Sequence, residues 1–538
     1  MMKYPIGIQT FERIINEGYV YVDKTEMIYN LAHGGSIFFL SRPRRFGKSL
    51  LISTLKSYFL GQKELFKGLK IDALEKEWNV YPVFHLSFGT SNFTNLGTLE
   101  AVLLDFVEGL ERIYGKTTNS DDCAIRFKHV IKAAHDKTGL RTVVLVDEYD
   151  KPLLDVMDDK TLYYVAENGE KITYESHNRN ILKGFYGVFK DADEDLHFVM
   201  LTGVTKFSQV SVFSGFNQPD DISMDARYES LCGITKDELL NVFDSSIHSL
   251  AAANGNDYHE TVSRLEKKYD GYHFSSNLTG IFNPFSILNC FKKNDMRNYW
   301  FASGTPGYLV RLLAHSNENI NELIGKYYPA EMFIDYKADV EQPLPMIYQS
   351  GYLTIKACNP RRQTYLLDFP NDEVRSGFIS VLAGDYFKEG RAQPATWLED
   401  VTDALENGNI EAFMKLMTVL LSSVTYRFQR KQDAFECERY FQYTFYLIMQ
   451  MLGRYNTLVE KETSEGRIDC VLECPDYVYI LEFKLNGSSS DALKQIEDKG
   501  YAKPYAADSR KVISLGINFS SEKVTIDDWI FCNITEQL

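Results

Sequence analysis

Short apolar runs alternate with helical patterns along roughly the first 215 residues. The continuous apolar runs lie at 36–40, 80–86, 142–146 and 197–201, each beside turn-forming residues. Apolar runs of this length, without alternating polar positions, are typical of strands that are buried on both faces of a parallel sheet. Amphipathic helical patterns at 49–60 and 99–113 separate them. We therefore expect an α/β domain with a parallel sheet in this part of the chain.

Further along the chain the pattern changes. From about 216 to 345 it is helical, and we expect no strand there. Two apolar runs around a polar turn, between Gly351 and Leu367, predict a hairpin, and helical patterns on either side suggest a winged-helix element. Residues 371–455 again have helical periodicity. Residues 456–538 predict strand, turn and strand, followed by a helix and a further strand.

Length and composition limit the class of protein. A chain of 538 residues exceeds what one hydrophobic core supports, so we expect at least two domains. Its 44% apolar and 25% charged residues are ordinary for a folded protein. The eight cysteines have no zinc-finger spacing, which is typical of reduced thiols in a cytoplasmic protein. No run approaches the roughly 18 apolar residues of a membrane helix, so we expect no membrane partner.

A phosphate-binding motif follows the first apolar run. Gly47, Lys48 and Ser49 form the end of a P-loop, between a predicted strand and a predicted helix. In such a loop the glycine lets the backbone approach phosphate, and the lysine reaches the β and γ oxygens. The serine hydroxyl is a ligand for Mg²⁺. The motif therefore predicts a nucleotide site at the start of this helix.

The loop is basic although the chain is acidic. Residues 36–60 carry five basic and no acidic side chains, whereas the whole chain has a formal net charge of −16. Local positive charge of this kind is typical of a pocket for a polyanion. Arg42, which stands where the first glycine of the motif belongs, is therefore a candidate for phosphate contact, as are Arg44 and Arg45. The net charge opposes nucleic acid over the whole surface, so nucleic acid would need a local patch.

The third long apolar run ends in acidic residues. Asp147 and Glu148 follow it directly, which is the Walker B arrangement. We expect Asp147 to hold hydrated Mg²⁺, and Glu148 to orient or deprotonate the attacking water. The fourth run should end beside the third, where Thr202, Thr205 or Lys206 either senses the γ-phosphate or caps a turn into the next helix. Together these motifs predict a Mg-ATP site.

Charged side chains interrupt two apolar strands near the C-terminus. Asp469 lies near the start of one predicted strand. Glu482 and Lys484 lie two residues apart on the next strand, so they share a face. Two carboxylates and a lysine on one face can bind Mg²⁺ or Mn²⁺ and stabilise charge during hydrolysis of a phosphodiester. The alternative is a structural ion pair between Glu482 and Lys484.

These motifs resemble those of one large bacterial family. Its members are AAA-ATPase-like proteins that carry a C-terminal PD-(D/E)XK nuclease domain. The resemblance covers essentially the whole chain and rests on the segments 11–15, 21–25, 42–49, 146–152, 202–208, 269–274 and 351–354. In that family an arginine stands at the position of Arg42. The resemblance also implies an acidic metal ligand at Glu438 and a glutamine near the site at Gln495, and Glu460 is a further candidate carboxylate.

The pattern of predicted elements divides the chain into four segments, and the resemblance suggests what each one is. They are a P-loop AAA-ATPase-like domain at 1–215, a helical lid region at 216–345, a winged-helix-like and helical connector at 346–430, and a restriction-endonuclease-like α/β domain at 431–538. The leading hypothesis is an ATPase that controls a Mg²⁺-dependent nuclease in cis. A nucleotide-switched scaffold and a nucleic-acid-binding ATPase without nuclease activity are alternatives, because residues 456–538 hold nine basic and 15 acidic residues. A homo-oligomer is compatible with the sequence.

Overall fold

The computed structural model describes most of the chain. The described residues are 2–157, 159, 161–166, 168–207, 219–302, 323–334, 343–378, 394–423, 445, 449, 456–463, 466–505, 508–523 and 525–534. The chain divides into two units, Met1–Arg375 and Ser376–Leu538. The finer division at 215, 345 and 430 stays a prediction.

In the part of the first unit that the structure describes, strands and helices alternate. Its strands are β1 Ile37–Ser41, β2 Val83–Ser87, β3 Thr142–Asp147, β4 Tyr163–Val165, β5 Lys171–Thr173, β6 Leu196–Gly203, β7 Asp220–Asp221, β8 Ile234–Thr235, β9 Ile281–Phe282, β10 Lys326–Pro329, β11 Thr354–Asn359 and β12 Thr364–Asp368. Its α-helices are α1 Phe11–Asn16, α2 Thr25–Gly34, α3 Lys48–Phe59, α4 Lys70–Leu74, α5 Thr98–Tyr114, α6 Cys123–Thr138, α7 Lys151–Leu154, α8 Tyr174–Asp191, α9 Lys236–Asn254, α10 Tyr258–Tyr269, α11 Pro284–Lys293, α12 Tyr299–Ala302 and α13 Leu344–Gln349. Short 3₁₀ helices lie at Lys63–Phe66, Asp193–Asp195, Ile222–Met224 and Ala330–Met332.

A parallel sheet forms the centre of the first unit. Its strand order is β2-β3-β6-β1-β7, and the neighbouring strands are parallel. Every residue of β3 is buried, as is every residue of β6 except His197. Burial on both faces explains why these strands appear in the sequence as continuous apolar runs. The predicted parallel sheet and its four long strands are confirmed.

Short strands lie between residues 216 and 345, where the sequence pattern predicts none, so that prediction is wrong. β7, β8 and β9 have 2 residues each, and β10 has 4. A two-residue strand is too short to show alternating polar and apolar positions. β10 is an edge strand, and Tyr327 within it is 52% exposed, so it has no continuous buried face to recognise.

A hairpin follows α13, as the sequence predicts. β11 and β12 are antiparallel and pair from Thr354–Asp368 to Asn359–Thr364, with an irregularity between Ile355 and Ala357. The sequence did not reveal that β10 pairs with β12 as a third strand, which gives the order β10-β12-β11. The winged-helix description of this element stays a prediction.

The second unit is built on a mixed sheet. Within its described residues the helices are α14 Pro394–Glu406, α15 Ile410–Ser423 and α16 Ser489–Asp498, with a 3₁₀ turn at Lys503–Tyr505. Its strands are β13 Asn456–Thr463, β14 Gly466–Glu473, β15 Tyr477–Leu485, β16 Lys511–Ser520 and β17 Thr525–Asn533, paired in that order. β15 and β16 are parallel, with α16 between them in the chain, and the other pairs are antiparallel. The predicted order of strand, turn, strand, helix and strand is confirmed.

The apolar residues of the second unit pack into a shared core. Leu481 on β15 and Leu515 on β16 belong to one buried cluster with Val401 on α14 and Met414 on α15. Each such side chain contributes roughly 1.5–3 kcal/mol when fully buried. Within the described ranges of the whole chain, no helix is long and apolar enough to cross a membrane.

Candidate functional site

The phosphate loop connects β1 to α3. Within it Arg45 and Gly47 have positive φ angles of 69° and 94°, in the left-handed region that favours glycine. This turn lets α3 begin at Lys48, and the amide of Leu51 donates to the carbonyl of Gly47. The first amides of a helix have no acceptor inside the helix, so this end of α3 attracts anions.

Lys48 is buried at the base of the loop. Its Nζ donates to the carbonyl of Arg42 at 2.9 Å and to the carbonyl of Pro43 at 3.1 Å. Burial lowers the pKa of Lys48, whereas the nearby carboxylates of Asp147 and Asp150 raise it. A buried ammonium group needs such partners, so these carbonyls and carboxylates hold a positive charge beside the loop.

The Arg42 guanidinium is buried among backbone carbonyls. Its Nη1 donates to the carbonyls of Ser41 at 2.9 Å and Ser223 at 2.7 Å, and its Cζ lies 4.1 Å from the centroid of the Phe274 ring. Burial lowers the pKa of Arg42. The side chain thus lies between the phosphate loop and the residues that follow β7. The structure does not bring Arg42 to the cavity beside the loop.

A cavity of about 520 Å³ lies beside the loop. Among the residues that the sequence singles out, those lining it are Arg44, Arg45, Gly47, Lys48, Ser49 and Glu148. Other parts of its wall are apolar and include Pro5, Pro284, Phe285 and Leu288. A cavity of this size, with cationic groups at the loop and an apolar wall, suits a nucleotide.

The ends of three strands meet beside the loop. β6 lies between β1 and β3, because Leu40 pairs with Thr202 on one side and Val146 pairs with Leu201 on the other. Thr202 Oγ1 donates to Asp147 Oδ1 at 2.8 Å, and both side chains are buried. The prediction that this strand ends beside the acidic strand is confirmed.

The two other candidates for a γ-phosphate sensor, Thr205 and Lys206, lie after the end of β6. Lys206 Nζ lies 2.8 Å from Asp221 Oδ2, and the amide of Lys206 donates to Gln349 Oε1 at 2.9 Å. Thr205 is buried and its carbonyl accepts a hydrogen bond from Tyr149 at 2.8 Å. Thr202 is therefore the candidate that contacts the acidic strand end.

The turn after β3 carries two further carboxylates. Glu148 has a φ of 56°, and its carboxylate lies against Gly89, where a Cβ would be 2.9 Å from Glu148 Oε2. Asp150 accepts hydrogen bonds from the amides of Val204 at 2.9 Å and Thr205 at 2.6 Å, and it lines the cavity. Burial raises the pKa of Asp150 to about 6. Sequence reasoning gave Asp150 no role, although its place in the Asp-Glu-Tyr-Asp motif could have identified it.

In the second unit, the predicted acidic residues lie opposite each other on the hairpin of β14 and β15. Cys470 pairs with Leu481, which puts Asp469 opposite Glu482 at the next position. Asp469 Oδ2 accepts a hydrogen bond from the amide of Phe483 at 2.8 Å. The hairpin thus brings the two carboxylates to the same place, as the sequence predicts.

Gln495 on α16 connects the two charged residues of β15. Its Nε2 donates to Glu482 Oε1, and its Oε1 accepts from Lys484 Nζ at 2.7 Å. Lys484 Nζ itself lies 3.6 Å from Glu482 Oε1. The structure therefore brings Gln495 to the candidate site, where the family resemblance implied it.

Glu482 is 2% exposed, and its Oε2 has no hydrogen-bond partner among the described residues. Burial, together with the charge of Asp469, raises the pKa of Glu482 to about 7, although Lys484 acts in the opposite direction. Two carboxylates, one with a buried and unpaired oxygen, are suitable ligands for a hard divalent cation.

The candidate metal ligands upstream lie outside the described side chains. Glu438 lies outside the described residues. The backbone of Glu460 is part of β13, and nothing is described of its side chain. Within the part of the chain that is described, no group of three or more histidine, cysteine, aspartate or glutamate side chains forms a metal site.

Comparison with known proteins agrees with both parts of this description. Residues 5–213 match the model of a predicted AAA-ATPase family, and residues 436–529 match the PD-(D/E)XK nuclease superfamily. A relative from Azotobacter chroococcum mcd 1, described as an uncharacterized protein in the vnfD 5′ region, is 34% identical over 536 residues. The alignment covers 97% of this chain and 98% of that protein.

The chain belongs to the AAA-ATPase-like family with a C-terminal PD-(D/E)XK nuclease domain. The resemblance inferred from the motifs is confirmed. In this AAA-ATPase-like protein the wall of the cavity beside the phosphate loop also includes Trp300 and Tyr352. Sequence reasoning missed both, because nothing in the local pattern separates an aromatic residue at a cavity from one in the core.

Proposed function

We propose that the protein binds and hydrolyses Mg-ATP at the phosphate loop, and that the nucleotide controls a Mg²⁺-dependent phosphodiesterase site in the second unit. One observation carries the ATP site. The adjacent ends of β1, β6 and β3 bring the phosphate loop close to the hydrogen-bonded pair of Thr202 and Asp147, and the loop contributes Arg44, Arg45 and Lys48 to the wall of one cavity. The neighbouring ends of parallel strands are where α/β proteins bind their ligands.

Basic groups of the loop would bind the phosphate chain. Lys48 is buried beside two carbonyls of the loop and would reach the terminal phosphates by exchanging those partners for phosphate oxygens. The first amides of α3 would donate to the same anion. Arg44 and Arg45 line the cavity and would add positive charge there.

Polar groups at the strand ends would complete the ATP site. Ser49 and Asp147 would hold the Mg²⁺ ion, which when bound neutralises charge on the phosphates. Glu148 lines the cavity and would orient the attacking water and accept its proton. Thr202 donates to Asp147 and would keep that carboxylate oriented.

The second site would hydrolyse a phosphodiester. Asp469 and Glu482 would be metal ligands, and the buried Oε2 of Glu482, which has no partner among the described residues, fits that role. A bound divalent cation would supply a Lewis acid and lower the pKa of a coordinated water. Lys484, placed by Gln495, would orient water and stabilise negative charge on the phosphate. Glu438 would be a further ligand.

Lys48→Ala tests the ATP site. Removing the ammonium group should abolish ATP binding, or weaken it at least a hundredfold, as measured by calorimetric titration. Lys56→Ala is a matched control, since Lys56 lies on the same helix α3 and does not line the cavity. Equal ATP affinity and hydrolysis in wild type and the Lys48 variant would refute the assignment.

Metal-induced stabilisation tests the second site without requiring its nucleic-acid substrate. A ligand that binds the folded state raises thermal stability by mass action, so Mn²⁺ should raise the melting temperature of wild type. Asp469→Ala should lose that increase and any cleavage of nucleic acid, while ATP binding persists. Asp476→Asn, at the exposed turn of the same hairpin, should behave like wild type. Equal stabilisation of wild type and the Asp469 variant would exclude Asp469 as a ligand.

A nucleotide-switched scaffold without cleavage is the second candidate function. Residues 456–538 hold 15 acidic and nine basic residues, and this negative net charge disfavours strong contact with a phosphate backbone. The charge therefore favours the scaffold. It predicts ATP-dependent changes in the second unit without cleavage of DNA or RNA at any metal concentration. Cleavage that is lost in Asp469→Ala would exclude it.

A further inference from the structure

The indole of Trp300 contacts the backbone of the phosphate loop. Its Nε1 donates to the carbonyl of Arg44 at 3.1 Å, although 256 residues separate the two in sequence. Trp300 is 6% exposed and forms part of the cavity wall. The loop is thus held by a side chain from the second half of the unit as well as by its own turn.

This hydrogen bond fixes the orientation of one peptide group. A peptide is planar, and its carbonyl and amide point in opposite directions, so holding the Arg44 carbonyl also sets the direction of the Arg45 amide. Arg45 adopts a φ of 69°, which residues other than glycine adopt only when their surroundings support it. A carbonyl that is bound to the indole also cannot turn its partial negative charge toward phosphate oxygens.

Trp300 is itself restrained by Glu373 and Tyr352. Its backbone amide donates to Glu373 Oε1 at 2.8 Å, and Ser286 Oγ donates to Glu373 Oε2 at 2.6 Å. Glu373 is 1% exposed, so this carboxylate is a fixed acceptor. The Trp300 ring also packs edge-to-face on Tyr352, with centroids 5.2 Å apart. A donor that is restrained in this way loses little entropy when it holds the loop.

We propose that Trp300 is a positioning residue for the phosphate loop. It sets the Arg44–Arg45 peptide in the orientation that binds the phosphate chain, and Glu373 holds Trp300 in the position to do so. The proposal rests on the ATP binding proposed above. It states that Trp300 strengthens binding of the phosphates of the nucleotide and not binding of its base.

Trp300→Phe tests the proposal, because it keeps an aromatic ring and deletes the N–H donor. Without this hydrogen bond the Arg44–Arg45 peptide is no longer held in its binding orientation, so binding is expected to weaken about tenfold. The loss should be equal for ATP and for inorganic tripolyphosphate, which has no base, when both are measured by calorimetric titration. A second variant covers the case in which Phe disturbs folding. It has 3-benzothienylalanine in place of Trp300, which keeps the bicyclic ring and lacks the N–H, and it should show the same loss of affinity.

Trp78→Phe is the matched control. Trp78 packs on Tyr58 and Phe66, and its indole N–H has no hydrogen-bond partner among the described residues, so this variant should bind both ligands like wild type. Unchanged tripolyphosphate affinity in both Trp300 variants would overturn the proposal, as would a loss confined to ATP. If wild type binds neither ATP nor tripolyphosphate, the proposed ATP site fails. If wild type binds both and the variants match it, only the role of Trp300 fails.

Discussion

Asp150 is a buried carboxylate that lines the cavity beside the phosphate loop. The amides of Val204 and Thr205 both donate to its Oδ2, and it faces the positive charge of Lys48. Burial nevertheless raises its pKa from 3.8 to about 6. The carboxylate therefore connects the turn after β3 to the turn after β6 through hydrogen bonds. Its ionised form is less favourable in the folded protein than in the unfolded chain.

Asp150→Asn should change how stability depends on pH. The folded state of wild type binds the Asp150 proton more tightly than the unfolded state, so its contribution to stability is present below pH 4 and is lost between about pH 4 and 6. Asparagine can accept both amides through one oxygen and does not titrate. The stability of wild type minus that of the variant should fall by about 3 kcal/mol, at most, from pH 4 to pH 7.

Thermal unfolding of the two proteins across this pH range measures the difference. Asp193→Asn is the control for the loss of one carboxylate, since Asp193 is exposed. Parallel curves for wild type and Asp150→Asn would contradict the assignment of a raised pKa to this carboxylate.

Helix α16 has its position in the second unit because β16 contains a glycine opposite it. Gly516 pairs with Glu482, and a Cβ at Gly516 would lie 2.8 Å from the amide nitrogen of Leu493 and closer still to the carbonyl of Ser489. The helix therefore packs directly on the backbone of the strand. This close approach lets Gln495 reach Glu482 and Lys484.

Gly516→Ala should push α16 away from the sheet. The added methyl group meets backbone atoms, which cannot rotate aside, so a loss of about 1–3 kcal/mol in stability is expected. Gln495 should lose its contacts with Glu482 and Lys484, and the stabilisation by Mn²⁺ should change as a result. The measurement is the melting temperature of the protein with and without Mn²⁺.

Gln495→Ala separates the two effects. It removes the same contacts without moving the helix, so it should alter the Mn²⁺ response and lower the melting temperature less than Gly516→Ala does. If Gly516→Ala leaves both quantities at wild-type values, close packing of α16 does not determine the site.

At the scale of the whole molecule, the cavity beside the phosphate loop is built from distant parts of the first unit. Its wall includes residues 5–9 at the start of the chain, the loop and turn around Lys48 and Glu148, and Tyr352 near the unit's end. Glu373, which holds Trp300, lies two residues before Arg375, where the first unit ends. Binding at the cavity should therefore stabilise the whole first unit rather than one loop.

Limited proteolysis should detect this. A non-hydrolysable ATP analogue is expected to slow trypsin cleavage throughout Met1–Arg375, and to change cleavage in Ser376–Leu538 if the nucleotide controls the second unit. Lys48→Ala should show neither effect at the same analogue concentration. Identical patterns for wild type with and without saturating analogue would argue against coupling between the units.

Continuous apolar runs and strand-end motifs made much of this protein predictable. β3 and β6 are buried on both faces, so their sequences are continuous apolar runs that can be recognised as strands. The proximity of the carboxylates on β14 and β15 follows from the geometry of a hairpin. Arg42 was not predictable in the same way. An arginine in a phosphate loop suggests phosphate contact, but its acceptor at Ser223 lies 181 residues away. Long-range partners of this kind leave no local pattern.

The Trp300 indole gives the protein a fluorescent group in the wall of its cavity. The chain has 4 tryptophans, and Trp78, Trp397 and Trp529 are not part of that wall. Indole emission depends on the charge and water next to the ring, both of which change when a polyanion enters. The natural protein, without any dye or label, should therefore report nucleotide binding as a change in its own light emission, and stopped-flow mixing would resolve how fast the loop engages its ligand.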